Sequence, residues 1–208
     1  MTVGRAAAGG CKTGAMSTPG EVPELVSRAL RDSLRGGWQQ TTRHESGRLL
    51  ATLAASRTGT IAEIGTGSGA GVAWLRTGAP TATRVVCVEQ DAEQAARAAE
   101  CLEGSDIEVL VGGCETLRAH APFTLLYCNR SVAEVIGIEL VHELVAPGGI
   151  VVVDDFLPGG DLNQGSEWSW GQIGAVDPLR QAWLSDERFT STEVGVAGDV
   201  SVVIATRR

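Results

Sequence analysis

Glu63-Ile64-Gly65-Thr66-Gly67-Ser68-Gly69 is the stretch on which the fold turns. The apolar run Thr60–Ile64 leads into it, and a helical pattern through Val72, Ala73 and Leu75 leads out. The glycines therefore stand where a strand becomes a helix. Glycine there lets the chain bend sharply and lets a ligand come close to the backbone at a helix N-terminus. Twenty residues after Gly69 stands Glu89, closing the run Val85-Val86-Cys87-Val88. A carboxylate at the end of the second strand can accept hydrogen bonds from both hydroxyls of a ribose. A glycine turn with an acid one strand over implies an adenosine-containing cofactor at the carboxyl ends of the strands. Gly65, Gly67 and Ala70 also satisfy the relaxed G-x-G-x-x-[GA] pattern of nicotinamide binding. Glu63, two residues before the first glycine, tilts the choice away from that ligand. An acid there can orient the turn or meet an ammonium group, but it repels a nearby pyrophosphate.

Outward from this turn the chain alternates. Strands are predicted at Arg84–Val88, Ile107–Val111, Phe123–Cys128 and Ile150–Val153, and helices at Asp91–Leu102 and Val132–Val145, the latter stopped by Pro147-Gly148-Gly149. Near-continuous apolar strands between helices mark a parallel sheet covered on both faces. The end breaks this rhythm. After a helix at Pro178–Leu184, Thr190–Val196 and Val200–Thr206 are separated only by Ala197-Gly198-Asp199. So short a link cannot hold a parallel crossover and must be a hairpin. The expected fold is α/β: a doubly wound, Rossmann-like, seven-stranded and mostly parallel sheet with a C-terminal antiparallel hairpin. Before it, Leu25, Val26, Ala29, Leu30 and Leu34 mark a helix ended by Gly36-Gly37, and a second runs over Arg43–Ser56. These form a helical cap (about 21–57) on a single domain, 21–208. Residues 1–20, rich in Ala, Gly, Ser and Thr, read as a disordered leader, with Met16 a candidate start.

The 208 residues are 43% hydrophobic and 20% charged, with a formal net charge of −8, which suits a globular domain. The acidic excess argues against nucleic acid as the main partner, because a phosphate backbone needs a basic footprint. No apolar run approaches the roughly 20 residues that cross a membrane. The five cysteines, Cys11, Cys87, Cys101, Cys114 and Cys128, include no C-x-x-C pair. They read as reduced thiols in a cytoplasmic protein rather than as disulfide or zinc ligands.

With these motifs in view, the chain from Glu21 onward resembles the class I S-adenosylmethionine-dependent methyltransferases, in particular the small O-methyltransferases similar to the catechol and caffeoyl-CoA enzymes. The resemblance rests on Glu63–Gly69 with Glu89, on Phe123–Asn129, and on Leu144–Asp155. It implies that Gly65, Thr66, Gly67, Ser68 and Gly69 wrap the methionine part of S-adenosylmethionine, with Glu63 beneath. It implies further that Glu89, with Gln90 beside it, holds the ribose, that Gly113-Cys114 touches the adenine, and that Asn129 lines the same site. Two departures stand out. The family often has Asp where this chain has Gly113. Its metal-dependent members have a ligating Asp where this chain has Asn129, followed here by Arg130, whereas Asp154 and Asp155 match the other ligand positions. A neutral amide beside an arginine weakens a magnesium site, so the reading favours no catalytic metal.

Methyl transfer from a sulfonium needs alignment and a dry pocket, and an acceptor hydroxyl benefits from a base. The candidate catalytic groups are Asp154, at the fifth strand's end, and His44, at the start of the second helix; their bland readings are a strand-end cap and a solvated helix start. The long loop Phe156–Ile173 holds Trp168 and Trp170. With Asp155 these are the candidate contacts to a small-molecule acceptor; loop packing or a homodimer contact is the alternative for the tryptophans. Trp74 and Trp183 read as packing residues. The reading is O-methylation of a small acceptor. Two alternatives stay open: C- or N-methylation (or a non-methylating relative that only binds S-adenosylmethionine), and a nicotinamide-dependent oxidoreductase.

Overall fold

A computed structural model describes residues 21–37, 41–157 and 177–208. Among the described residues seven strands form one sheet: β1 (Thr60–Ile64), β2 (Arg84–Glu89), β3 (Ile107–Val111), β4 (Phe123–Asn129), β5 (Val145–Phe156), β6 (Phe189–Ala197) and β7 (Val200–Arg207). Their spatial order is β3-β2-β1-β4-β5-β7-β6. β1 to β5 pair in parallel, and β7 runs antiparallel to both β5 and β6. The reversed strand that the short Ala197-Gly198-Asp199 link demands is thus β7. From β1 the chain winds one way through β2 and β3, then returns to place β4 on the other side of β1. The crevice outside the carboxyl ends at such a switch point is where open α/β sheets bind ligands.

The helices are α1 (Glu24–Arg35), α2 (His44–Ala54), α3 (Ala70–Gly78), α4 (Ala92–Cys101), α5 (Arg130–Leu144) and α6 (Pro178–Ser185), with a 3-10 turn at Cys114–Ala119. Strand alternation divides the core in two. Ile61, Val85, Cys87, Leu125, Tyr127 and Val152 face α1 to α4, and Ala62, Val86, Leu126, Cys128, Val151 and Val153 face α5 and α6. α3 is buried from Ala70 through Leu75, because α1 and α2 cover its outer side. That packing is tight: a Cβ on Gly47 would run into the Trp74 ring, and one on Gly78 into the Ala51 carbonyl. Trp74 and Trp183 are core residues, as expected.

Three local expectations are corrected. Leu34 belongs to the apolar pattern of α1 yet is 80% exposed; Val26, Ala29 and Ser33 are the buried positions. Pro147-Gly148-Gly149 does not stop α5, which ends at Leu144; it lies within β5. The register shifts there, between the pairs Phe123–Val145 and Leu125–Ile150. A bulge admits the proline and a left-handed Gly148 (φ 74) into a strand. Finally, Phe156 is the last residue of β5, fully buried, rather than the start of a loop. The proposed leader, Trp168 and Trp170 lie outside the described residues.

Gly78→Ala tests the α2–α3 contact. The backbone carbonyl it meets cannot rotate away, so urea unfolding is expected to show a loss of about 1–3 kcal/mol.

Candidate functional site

The glycine turn is built as its composition demands. Gly65, Gly67 and Gly69 have φ of 81°, 52° and 83°, a left-handed region that disfavours side chains. The turn is also crowded. A Cβ on Gly65 would stand 2.7 Å from Val132 Cγ2, and one on Gly69 3.1 Å from Leu102 Cδ1. The N–H groups of Gly65 and Thr66 donate to the Val88 carbonyl at 2.9 and 3.3 Å, pinning the turn to the end of β2. The Gly67 N–H donates to Glu89 Oε2 at 2.9 Å, and the Asp91 N–H to Glu89 Oε1 at 3.1 Å. Each carboxylate oxygen keeps lone-pair capacity for another donor.

These residues line a cleft of about 1270 Å³ whose wall includes Glu63, the Gly65–Ser68 turn, Glu89, Gln90, Gly113, Cys114, Asn129, Asp154 and Asp155. Most of the residues singled out in the sequence therefore converge. His44 does not. It is exposed, its ring stands edge-on to Trp74 at 6.2 Å, and it is not part of the cleft wall. The α2 residue that reaches Asp154 is Ser46, whose Oγ donates to Asp154 Oδ1 at 2.9 Å.

Glu63 lies under the turn, 3% exposed. A Cβ on Gly71 would run into its Oε1 and into the Tyr127 ring, so this helix glycine is what seats the acid. Burial pushes the Glu63 carboxyl well above the usual range; the Val72 N–H pulls the other way, and the Glu89 charge adds a smaller rise. Its Oε2 is buried without a hydrogen-bond partner, an arrangement that is expensive unless a ligand supplies a donor.

Asp154 lies near the end of β5, beside Asn129 in the strand register. Besides Ser46, the Asp155 N–H donates to its Oδ1 at 2.8 Å, and the Tyr127 hydroxyl stands 3.4 Å from Oδ2. Tyr127 OH also meets Thr42 Oγ1 at 3.1 Å. Burial raises the Asp154 carboxyl above its ordinary range, against the lowering by those hydrogen bonds. The same desolvation, with the Asp154 charge, raises the Tyr127 phenol. Ser46, Tyr127 and Thr42 were not foreseen from the sequence. Nor was Glu115, another cleft residue. Its carboxylate occupies the space that a Cβ on Gly113 would need.

Asn129 caps α5. Its Oδ1 accepts from the Val132 N–H at 2.9 Å and from Ser131 Oγ at 2.8 Å. Arg130 turns to Asp177, at 3.0 Å from Nε, and to Glu134, at 3.2 Å from NH1. Among the described residues no three His, Cys, Asp or Glu side chains gather as metal ligands do. The donor set fits a divalent ion poorly, since the only oxygen of the Asn129 side chain already serves the helix.

No protein-family model and no curated protein matches this chain. Solved structures do. A cofactor-bound protein from MTB, Rv0187, superposes with a TM-score of 0.73 at 24% identity, over 90% of this chain and 91% of that one. An O-methyltransferase from Bacillus cereus in complex with SAH gives 0.70 at 18%, over 90% and 92%. The O-methyltransferase TomG from Streptomyces achromogenes, involved in tomaymycin synthesis and in complex with SAM, gives 0.68 at 21%, over 90% and 92%. The chain shares the fold of these three structures. In that fold the turn after β1 and the acid ending β2 stand at the carboxyl edge of the sheet. No helix among the described residues is long and apolar enough to cross a membrane.

The buried Glu63 gives a pH test. A carboxyl raised in the folded state binds its proton more tightly there than in the unfolded chain. Stability without ligand therefore falls as the pH rises past the ordinary Glu value toward the folded one. Glu63→Gln is expected to flatten that slope, read as the difference between variant and wild-type unfolding free energies from pH 4 to 8. Identical slopes would show that Glu63 is not held protonated.

Proposed function

We propose that this chain is an S-adenosylmethionine-dependent methyltransferase that acts on a hydroxyl of a small molecule. The observation that carries the reading is the Glu89 carboxylate fixed by the Gly67 N–H beside three left-handed glycines. A ribose diol fits there as the donor that fills the remaining lone pairs of Glu89. The unpartnered Glu63 Oε2 at the bottom of the cleft fits an ammonium group. It fits a pyrophosphate badly, which disfavours a nicotinamide cofactor. Glu115, brought over Gly113 by the 3-10 turn, offers an acceptor to the adenine amino group that the Gly113 position itself lacks.

S-adenosylmethionine supplies an electrophilic methyl group whose transfer releases a neutral thioether. The protein's part is alignment and proton uptake. Asp154 stands in the cleft wall beside Asp155, its carboxylate oriented by Ser46 and Tyr127. Asp154 would take the hydroxyl proton of an acceptor whose oxygen took up the methyl group that the cofactor supplies. A carboxyl raised by burial is a stronger base than a solvated one. Val132, Val135 and Ile136, from the first turns of α5, add an apolar wall to the same cleft that suits the carbon skeleton of an acceptor.

Calorimetric titration tests the cofactor. S-adenosylmethionine is expected to bind and NAD(H) not to. Glu89→Ala is expected to weaken binding by about 10- to 100-fold, the worth of hydrogen bonds to a charged group. Binding of NAD(H) alone would replace this reading with a hydride-transfer one. Unchanged affinity in Glu89→Ala would remove the ribose role.

A further inference from the structure

The resemblance to metal-dependent O-methyltransferases implies a divalent ion between the ends of β4 and β5, and the side chains there do not suit one. We propose that Asn129 turns this place into a hydrogen-bond donor site, one that receives an oxygen of the acceptor directly instead of holding it through a cation. The inference rests on the methyl-transfer reading for the identity of the occupant, but its geometry stands without it.

Four observations support it. Asn129 Oδ1 accepts two hydrogen bonds, from the Val132 N–H at 2.9 Å and Ser131 Oγ at 2.8 Å. That assignment fixes the amide orientation, because a main-chain N–H at a helix start requires an acceptor. The remaining polar atom of the side chain is then Nδ2, a donor, in a residue of the cleft wall. A donor cannot ligate a cation, whose site is built from oxygens. The neighbouring ligand position is also committed: Asp154 Oδ1 already accepts from Ser46 Oγ and the Asp155 N–H. Arg130, next in the chain, is held by Asp177 and Glu134 and keeps a fixed positive charge close to this end of β4. Asn129 and Asp154 are direct partners in the register of β4 and β5. A hydroxyl or carbonyl oxygen lodged between them meets a donor on one side and a carboxylate acceptor on the other. That pairing orients a hydroxyl: the amide N–H donates to its oxygen while its proton points at Asp154.

Asn129→Asp is the discriminating substitution. Asp caps a helix as well as Asn does, so the fold is retained, while its second oxygen falls where Nδ2 stands. Manganese binding is read by electron paramagnetic resonance on the full chain, without acceptor, and S-adenosylmethionine binding is measured separately by calorimetry. Wild-type protein is expected to show no stoichiometric Mn²⁺ binding in the low millimolar range. Asn129→Asp is expected to gain affinity by about tenfold or more, as an added anionic ligand does. Wild-type protein is expected to bind S-adenosylmethionine in the same cleft. One Mn²⁺ bound tightly per wild-type chain overturns the proposal. So does a folded Asn129→Asp protein with no gain, because Asn129 is then not what keeps the ion out. Failure of both proteins to bind S-adenosylmethionine would instead remove the functional reading, with the metal result still interpretable.

Discussion

The hydrogen bond from the Gly67 N–H to Glu89 joins a main-chain turn to a side chain one strand away, and the rest of the site is arranged around it. For the turn to reach Glu89 the chain must pass three times through left-handed backbone. Two of these glycines also leave room for a neighbour: Gly65 for Val132 at the start of α5, and Gly69 for Leu102 just past α4. Gly71, one turn later, makes room for Glu63 and Tyr127. The bend is thereby a hub against which both faces of the sheet are set. A side chain added there disturbs α4 or α5 as well as whatever the cleft holds.

The cleft also gathers carboxyl groups in a low-dielectric place. Glu63 and Asp154 are nearly buried, and burial raises both carboxyls, so each is costly to ionise. A ligand carrying positive charge lowers that cost, whereas an anionic one raises it. In the proposed reading a cationic cofactor is favoured by the electrostatics of the cleft as much as by its shape.

Much of this was legible in the sequence because the signals are local. A strand running into glycines, an acid ending the next strand, and a hairpin link too short for a crossover each occupy a few consecutive residues. The strand that carries Asp154 was legible for the same reason. What escaped depends on contacts between distant parts of the chain. Ser46 meets Asp154 from 108 residues away, and Thr42 meets Tyr127 from 85. His44 is a candidate by its place at the start of the second helix, but residues two apart on a helix point to different sides; the phase of α2 turns Ser46 inward and His44 toward Trp74. Glu115 was missed because its position follows from the 3-10 turn after Gly113, which composition does not announce. Pro147-Gly148-Gly149 reads as a helix stop in the sequence, because a bulge and a loop look alike until the partner strand is known.

Asp155 has one further implication. It is held at φ 71°, one of two non-glycine residues in left-handed backbone among those described. Such a conformation costs of order 1 kcal/mol for a residue with a side chain, and glycine would adopt it freely. The preceding Asp154 side chain, bonded to the Asp155 N–H, helps to lock the kink. A chain optimised for ease of folding alone would place glycine at this rim. The carboxylate that stands there instead carries that backbone cost and faces the cleft, at a position where the scaffold alone would accept glycine.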